Sequence, residues 1–140
     1  MKRTFMKKLI KKPAEFPHVS TRKSFARARC LAPLKAYYIP DANQLNVSFV
    51  HESMPRWSEA SVMVHSKTKE LIYLIRGKVL VFLNGKKILL KKDDSLVIPA
   101  GTTHQFKTKR EGMEAVSILV PPLDPVNPDA EIVFKRKAKV

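Results

Sequence analysis

His65, Glu70 and His104 are the residues of this 140-residue chain whose types and spacing suit chemistry. They lie in M-V-H-S-K-T-K-E-L-I-Y-L-I-R-G and D-D-S-L-V-I-P-A-G-T-T-H, segments that otherwise read as short β-strands. Two imidazoles and one carboxylate around a single point suit Fe(II), Mn(II) or Zn(II) and leave coordination positions open for a substrate. Residues two apart on a strand share a face. Met63 therefore goes with His65, Glu70 with Ile72 and Leu74, and His104 with Phe106. If these faces line one interior, the three side chains converge in an apolar bowl. A carboxylate buried there is costly unless a cation or a hydrogen-bond partner compensates it. One divalent metal ion (Fe, Mn or Zn) is the expected cofactor, with His65, Glu70 and His104 as its ligands.

The elements that must position these residues are strands. K-A-Y-Y-I, L-N-V-S-F-V, A-S-V-M-V-H, E-L-I-Y-L-I, K-V-L-V-F-L, K-I-L-L, S-L-V-I, H-Q-F-K and E-A-V-S-I-L-V are short runs rich in β-branched, aliphatic and aromatic residues. Asn84-Gly85 is a hairpin signal, because a type I′ turn needs φ > 0 at both central residues. Gly77 is expected between two strands, where a sharp bend favours a residue without Cβ. Pro99-Ala100-Gly101 marks another turn. No segment between residues 35 and 120 has sustained helical periodicity. Many short strands at even spacing predict an all-β sandwich or barrel, of which the double-sheet jelly roll is one form. P-P-L-D-P-V-N-P-D over 121–129 reads as an exit loop and E-I-V-F-K as a last edge strand.

The two segments resemble the paired motifs of the cupin superfamily. The first motif opens on a glycine, carries two histidines one residue apart, then a glutamate, and closes on a glycine. His65, Glu70 and Gly77 match it, Met63 stands at the first histidine, and Trp57 stands at the leading glycine. The second motif opens on a glycine and carries Pro, Gly, His and a closing Asn. Pro99, Gly101 and His104 match it, while Asp93 replaces the glycine and Thr108 the asparagine. The resemblance spans roughly residues 40–122. It implies a double-stranded β-helix (jelly-roll) barrel and a metal held by His65, Glu70 and His104. Met63 leaves three readings open. The three other residues hold the metal alone, the thioether joins as a soft ligand, or the pocket has lost its metal.

The net charge of +15 sits at the ends of the chain. Residues 1–29 carry +9, residues 30–134 only +2, and residues 135–140 carry +4. The expected organisation is a basic N-terminal arm over 1–34, a cupin-like barrel over 35–134 and a basic tail over 135–140. Basic ends can meet polyanions such as RNA or anionic lipid. A solvated Lys-rich terminus is the simpler reading, since no nucleic-acid motif is present. No apolar run is long enough for a membrane span, and the basic opening lacks the continuous apolar stretch of a secretory signal. Cys30, alone, cannot form an intrachain disulfide, which suits a reducing, cytoplasmic location.

The resemblance implies a small metal-binding protein, possible as an isomerase, lyase or dioxygenase on a small polar or anionic metabolite, and a homodimer. The alternative is a non-catalytic ligand-binding or regulatory module whose basic termini contact nucleic acid or another polyanion. Fold alone does not choose between them. No catalytic residue is assigned; His51 is the one candidate for a general base, if its strand turns it into the bowl. His18 has no such support. Trp57, Phe106 and Tyr73 are expected in core or interface packing. Arg56, Lys67 and Lys69 are expected in solvated loops.

Overall fold

Alternating apolar and polar residues bury one face of the longer strands, and the buried faces turn toward a common interior. The computed structural model describes residues 19–21, 26–27, 32–124 and 126–133. Among them are ten strands: β1 (Ala26–Arg27), β2 (Lys35–Tyr38), β3 (Ser48–Met54), β4 (Met63–Val64), β5 (Lys69–Leu83), β6 (Lys86–Lys91), β7 (Ser95–Ile98), β8 (His104–Lys107), β9 (Met113–Val120) and β10 (Glu131–Ile132). A 3-10 helix, Pro40–Leu45, precedes β3. Every pairing is antiparallel, in the order β1-β2-β3-β9-β5-β8-β4-β10, with β6 and β7 also on β5. The sheet curls on itself as a jelly-roll barrel. Among the described residues no helix is long and apolar enough to cross a membrane.

β5 is the element on which both halves of the barrel meet. Its first part pairs with β7 and β9, its second with β6 and β8. Glu70, Ile72 and Leu74 face inward in the first part, Val79 and Val81 in the second. The change from even to odd positions follows from a register shift between Leu74 and Arg76, where one extra residue bends the strand. Gly77 completes the bend. A Cβ at Gly77 would lie 1.9 Å from the Gly112 carbonyl oxygen, and its φ is +81°. Gly77 is thus inside one long strand rather than between two, because the bend keeps its ladder to β9 intact.

The core is built from Ile72, Leu74, Val79, Val81, Leu90, Ile98, Phe106, Met113 and Ala115, with Leu34 and Met54 against them. Each fully buried aliphatic side chain of this kind stabilises by about 1.5–3 kcal/mol. Asn84 (φ 46°) and Gly85 (φ 82°) form the expected hairpin turn between β5 and β6. Gly101 takes φ 76° in the Pro99 turn. Leu45 to Val47 is not strand: Pro40 starts the 3-10 helix instead, and Asn46 in the left-handed region ends it. The run ending in His65 is strand only over Met63–Val64. β1 falls within the expected basic arm and adds an edge strand to β2. Residues 1–18, with His18, Cys30, and the tail over 135–140 lie outside the described residues.

The bend generates a testable contrast. Gly85 also has positive φ, but a Cβ there meets nothing within 4 Å. Gly85→Ala should cost about 1 kcal/mol, the price of the left-handed backbone alone. Gly77→Ala adds a collision with backbone and should cost at least ~3 kcal/mol. Urea denaturation read by circular dichroism measures both. Equal midpoints for the two variants would show that the bend relaxes.

Candidate metal centre

His65, Glu70 and His104 meet in the interior, as the alternation of their strands requires. They are 7%, 3% and 3% exposed. Glu70 comes from the start of β5, His104 from the start of β8, and His65 follows β4. Glu70 Oε2 lies 3.5 Å from His65 Nε2 and 3.7 Å from His104 Nε2. One donor atom from each residue falls within 4.8 Å of the others. Ligands at about 2.1 Å from one ion, with bond angles near 100–115°, stand roughly 3.2–3.5 Å apart. The observed spacing lies at and slightly above that range, close enough for one ion to draw the three donors together.

The hydrogen bonds on the far side of each ring fix which nitrogen faces the centre. His65 Nδ1–H donates to the Asp129 carbonyl at 2.6 Å, and His104 Nδ1–H donates to the Thr102 carbonyl at 3.2 Å. A carbonyl only accepts, so each neutral ring presents its Nε2 lone pair inward. Three electron-rich atoms then face one point. A positive charge, a proton or a metal, must stand there. Electrostatics agree. Burial disfavours charge on His65, but the Glu70 carboxylate and the Asp129 carbonyl outweigh it and raise its pKa. Burial pushes Glu70 up, yet hydrogen bonding from His65 and the charge of His104 leave it below the ordinary value. Burial dominates at His104 and holds its pKa down, against the pull of Glu70.

Asp129, in the exit loop, is a support that the sequence did not signal. Its carboxylate accepts the backbone N–H groups of Ser66 (2.9 Å), Lys67 (2.7 Å) and Thr68 (3.0 Å). These bonds outweigh desolvation and lower its pKa. They fix the turn between His65 and Glu70 while its carbonyl orients the His65 ring.

Glu52 is a second unsignalled residue. β3 buries Ser48, Val50, Glu52 and Met54, and β9 buries Ser117 between Ala115 and Leu119. Glu52 Oε2 and Ser117 Oγ are buried with no hydrogen-bond partner within bonding geometry. Burial pushes the Glu52 carboxyl up to about 8; the Glu70 charge adds to this and the nearby Ser117 hydroxyl opposes it. Only alternation along β3 could have pointed to Glu52, and the same alternation removes His51. His51 turns to the outer face, where its Nε2 lies 2.8 Å from Glu114 Oε1, and Arg76 reaches the other Glu114 oxygen at 2.9 Å. The expectation that His51 might serve as a base in the bowl is thus corrected: one residue of strand parity puts Glu52 there instead.

Of the remaining residues, Met63 is half-buried and pairs across the ladder with His104. Phe106 packs in the core, its ring centroid 5.7 Å from that of His104. Tyr73 lies on the outer face and donates its hydroxyl to Asp93 at 2.7 Å. Arg56, Lys67 and Lys69 are exposed as expected. Trp57 is not packed away. It is 66% exposed.

The departures from the paired motifs have structural accounts. Trp57 (φ 56°) and Asp93 (φ 71°) occupy the two leading glycine positions, and both keep the left-handed backbone those glycines would supply. Asp tolerates it and here also accepts the Tyr73 hydroxyl. Thr108, at the asparagine position, donates to the Pro55 carbonyl at 2.6 Å and accepts the Ser58 N–H at 3.0 Å. It ties the loop after β3 to β8.

Comparison with known proteins agrees with this architecture. No curated protein matches the chain. Among solved structures, KdgF from a Halomonas species has a TM-score of 0.63 at 16% identity, covering 78% of this chain and 97% of that one. A predicted oxalate decarboxylase from Thermotoga maritima has a TM-score of 0.61 at 15% identity, covering 73% and 97%. A sugar phosphate isomerase of the cupin superfamily from Silicibacter pomeroyi has a TM-score of 0.60 at 13% identity, covering 73% and 74%. At these identities the likeness is one of fold. The cupin domain family itself matches residues 49–121, more than half of the chain. With the jelly-roll barrel and the buried His-Glu-His cluster, that match makes this chain a member of the cupin family.

Proposed function

We propose that this protein is a metal-dependent enzyme acting on a small polar or anionic metabolite by proton transfer, as an isomerase or lyase would. The convergence of His65, Glu70 and His104 on one buried point carries the reading. Three protein ligands leave open positions, and a divalent ion bound there supplies Lewis-acid stabilisation of a developing oxyanion. His65, Glu70 and His104 are ligands rather than proton carriers, since their inward lone pairs are committed. Glu52 is the group available to hold or move a proton: it shares the interior with Glu70, and one of its oxygens has no partner. Ser117, equally without a partner, can orient a substrate hydroxyl beside it. The apolar walls lower the local dielectric and strengthen these contacts. A dioxygenase reading uses the same ligands but leaves Glu52 without a task. The fold neighbours described as a sugar phosphate isomerase and a predicted oxalate decarboxylase support a small-molecule substrate.

The protein acts as a homodimer in this reading. Leu71, Val97 and Ile118 lie side by side across the outer ladder of β7, β5 and β9, with Val120 beyond them, all more than a third exposed. Such a row is complementary to itself across a two-fold axis. A cytoplasmic setting suits the one cysteine of the sequence.

Metal content tests the ligands. Protein purified without chelator should carry near-stoichiometric metal, and His104→Ala should lose it. Equal, negligible metal in both would sink the assignment. Met63→His should add a fourth ligand and raise affinity, whereas Met63→Leu, similar in volume, should change little. A large loss in Met63→Leu would make the thioether a ligand.

Open coordination and proton transfer are tested together. Mn(II)-loaded protein should enhance water proton relaxation, because water reaches the metal; no enhancement would mean a closed, structural site. NMR in deuterated water should then show deuterium entering a carbon next to a carbonyl in a panel of hydroxy-ketones and sugar phosphates. Glu52→Gln should keep the metal and slow that exchange by about 100-fold or more. Unchanged exchange in Glu52→Gln would remove Glu52 from the mechanism.

A further inference from the structure

Trp57 has an environment that the metal centre does not use. It stands on the loop between β3 and β4, 66% exposed, with φ at 56°. A bulky residue with positive φ is strained, and such strain persists only where the surroundings hold it. Here they do. The Trp57 N–H donates to the Lys109 carbonyl at 2.7 Å, and Thr108 clamps Pro55 and Ser58 on either side. The loop is therefore pinned to β8 with its indole directed into solvent rather than core.

Two adjoining surface cavities, of about 510 and 400 Å³, flank the indole and share Trp57, Leu80, Lys107 and Lys109 in their walls. Lys78 and Arg110 line the first, and Lys87 lines the second. Two carboxylates lie in the same walls. Glu59 is paired to Lys107 at 3.0 Å, and Glu111 stands 4.0 Å from Lys78. Lys87, Lys109 and Arg110 have no carboxylate partner among the described residues. Lys107 is also held 4.9 Å above the Phe82 ring. Five cations against two anions leave a positive groove with an exposed, fixed aromatic at its centre. Leu80 and Phe82 bring it to the outer face of β5, opposite in strand parity to the buried Val81, with Val79 at its floor, and none of His65, Glu70 and His104 lines it.

We propose that this groove binds single-stranded nucleic acid, with a base stacked on Trp57 and neighbouring phosphates paired to Lys87, Lys109 and Arg110. A positive track beside an aromatic platform is what such a ligand needs: phosphates supply the affinity and every base offers a π-face. A purely anionic partner would use the lysines and leave the indole unexplained. Among the described residues its walls share none with the His65, Glu70 and His104 cluster.

Trp57 is the one tryptophan of the chain, so its emission reports on this groove alone. A single-stranded uridine oligonucleotide added to the full-length protein should quench that emission saturably. Affinity should fall with salt at a log–log slope of about −0.7 per phosphate contacted. Heparin, a polyanion without bases, should bind without quenching. In anisotropy with a labelled oligonucleotide, Trp57→Ala should weaken binding roughly 10-fold, in line with the loss of one base stack. Trp57→Phe should recover part of it. Lys109→Glu with Arg110→Glu should weaken binding further and flatten the salt slope. All three positions changed are exposed, and thermal melts should match the wild type. Oligonucleotide binding without quenching, or with wild-type affinity in Trp57→Ala and in the double variant, would place it on the basic ends and overturn the proposal. Equal quenching by poly-glutamate, which then displaces the oligonucleotide, would also overturn it and make the groove a dock for an acidic protein segment.

Discussion

One constraint organises this molecule: a carboxylate buried between two imidazole nitrogens. Glu70 is 3% exposed, and its Oε2 faces the Nε2 atoms of His65 and His104 at 3.5 and 3.7 Å. Without a positive charge at that point the arrangement is unfavourable, because burial penalises the anion and the rings turn lone pairs toward it. The rest of the barrel holds three donors at one spot against that penalty. The aliphatic core around Ile72, Leu74 and Ile98 supplies the stability that makes this possible.

The outer contacts decide what the inner atoms can do. The Asp129 and Thr102 carbonyls hold Nδ1 of each ring, so a neutral imidazole at either position turns its Nε2 lone pair inward. Asp129 does this from a loop more than sixty residues away in the chain, anchored by three N–H groups of the turn it supports. Two glycines and a strand bulge let β5 serve both halves of the barrel, which brings Glu70 on its first part over β8 and its histidine. Position at the centre is thus a property of the ladder and not of the three side chains themselves.

Polar groups left over in such an interior carry information. Glu52 and Ser117 lie diagonally on β3 and β9, and each leaves a buried polar atom outside hydrogen-bonding geometry. Buried polar atoms without partners are few in folded proteins and usually have a task. On the outside, Trp57 holds a backbone conformation that costs energy for its side chain, in a wall of lysines. The inner pair fits proton transfer beside the candidate metal centre, and the outer residue fits stacking. The two readings are separable because the barrel wall stands between them.

Much of this was legible in the sequence. Short runs at even spacing gave an all-β chain its class, Asn84-Gly85 its hairpin, and alternation brought His65, Glu70 and His104 into one buried cluster, because strand period and turn chemistry are local properties. What only the tertiary structure decided follows from contacts between distant segments. Gly77 lies within a strand because β9 continues past the bend. His51 and Glu52 differ by one residue, and the side of β3 that faces inward is set by β2 and β9, not by β3 itself. Asp129 reads as one residue of a Pro-rich loop until that loop returns to His65. Trp57 reads as core or interface from its type, and the pinning of its loop to Thr108 and Lys109 decides against the core. Residue type and spacing thus determined which groups can act; the pairing of strands far apart in the chain decided which of them meet.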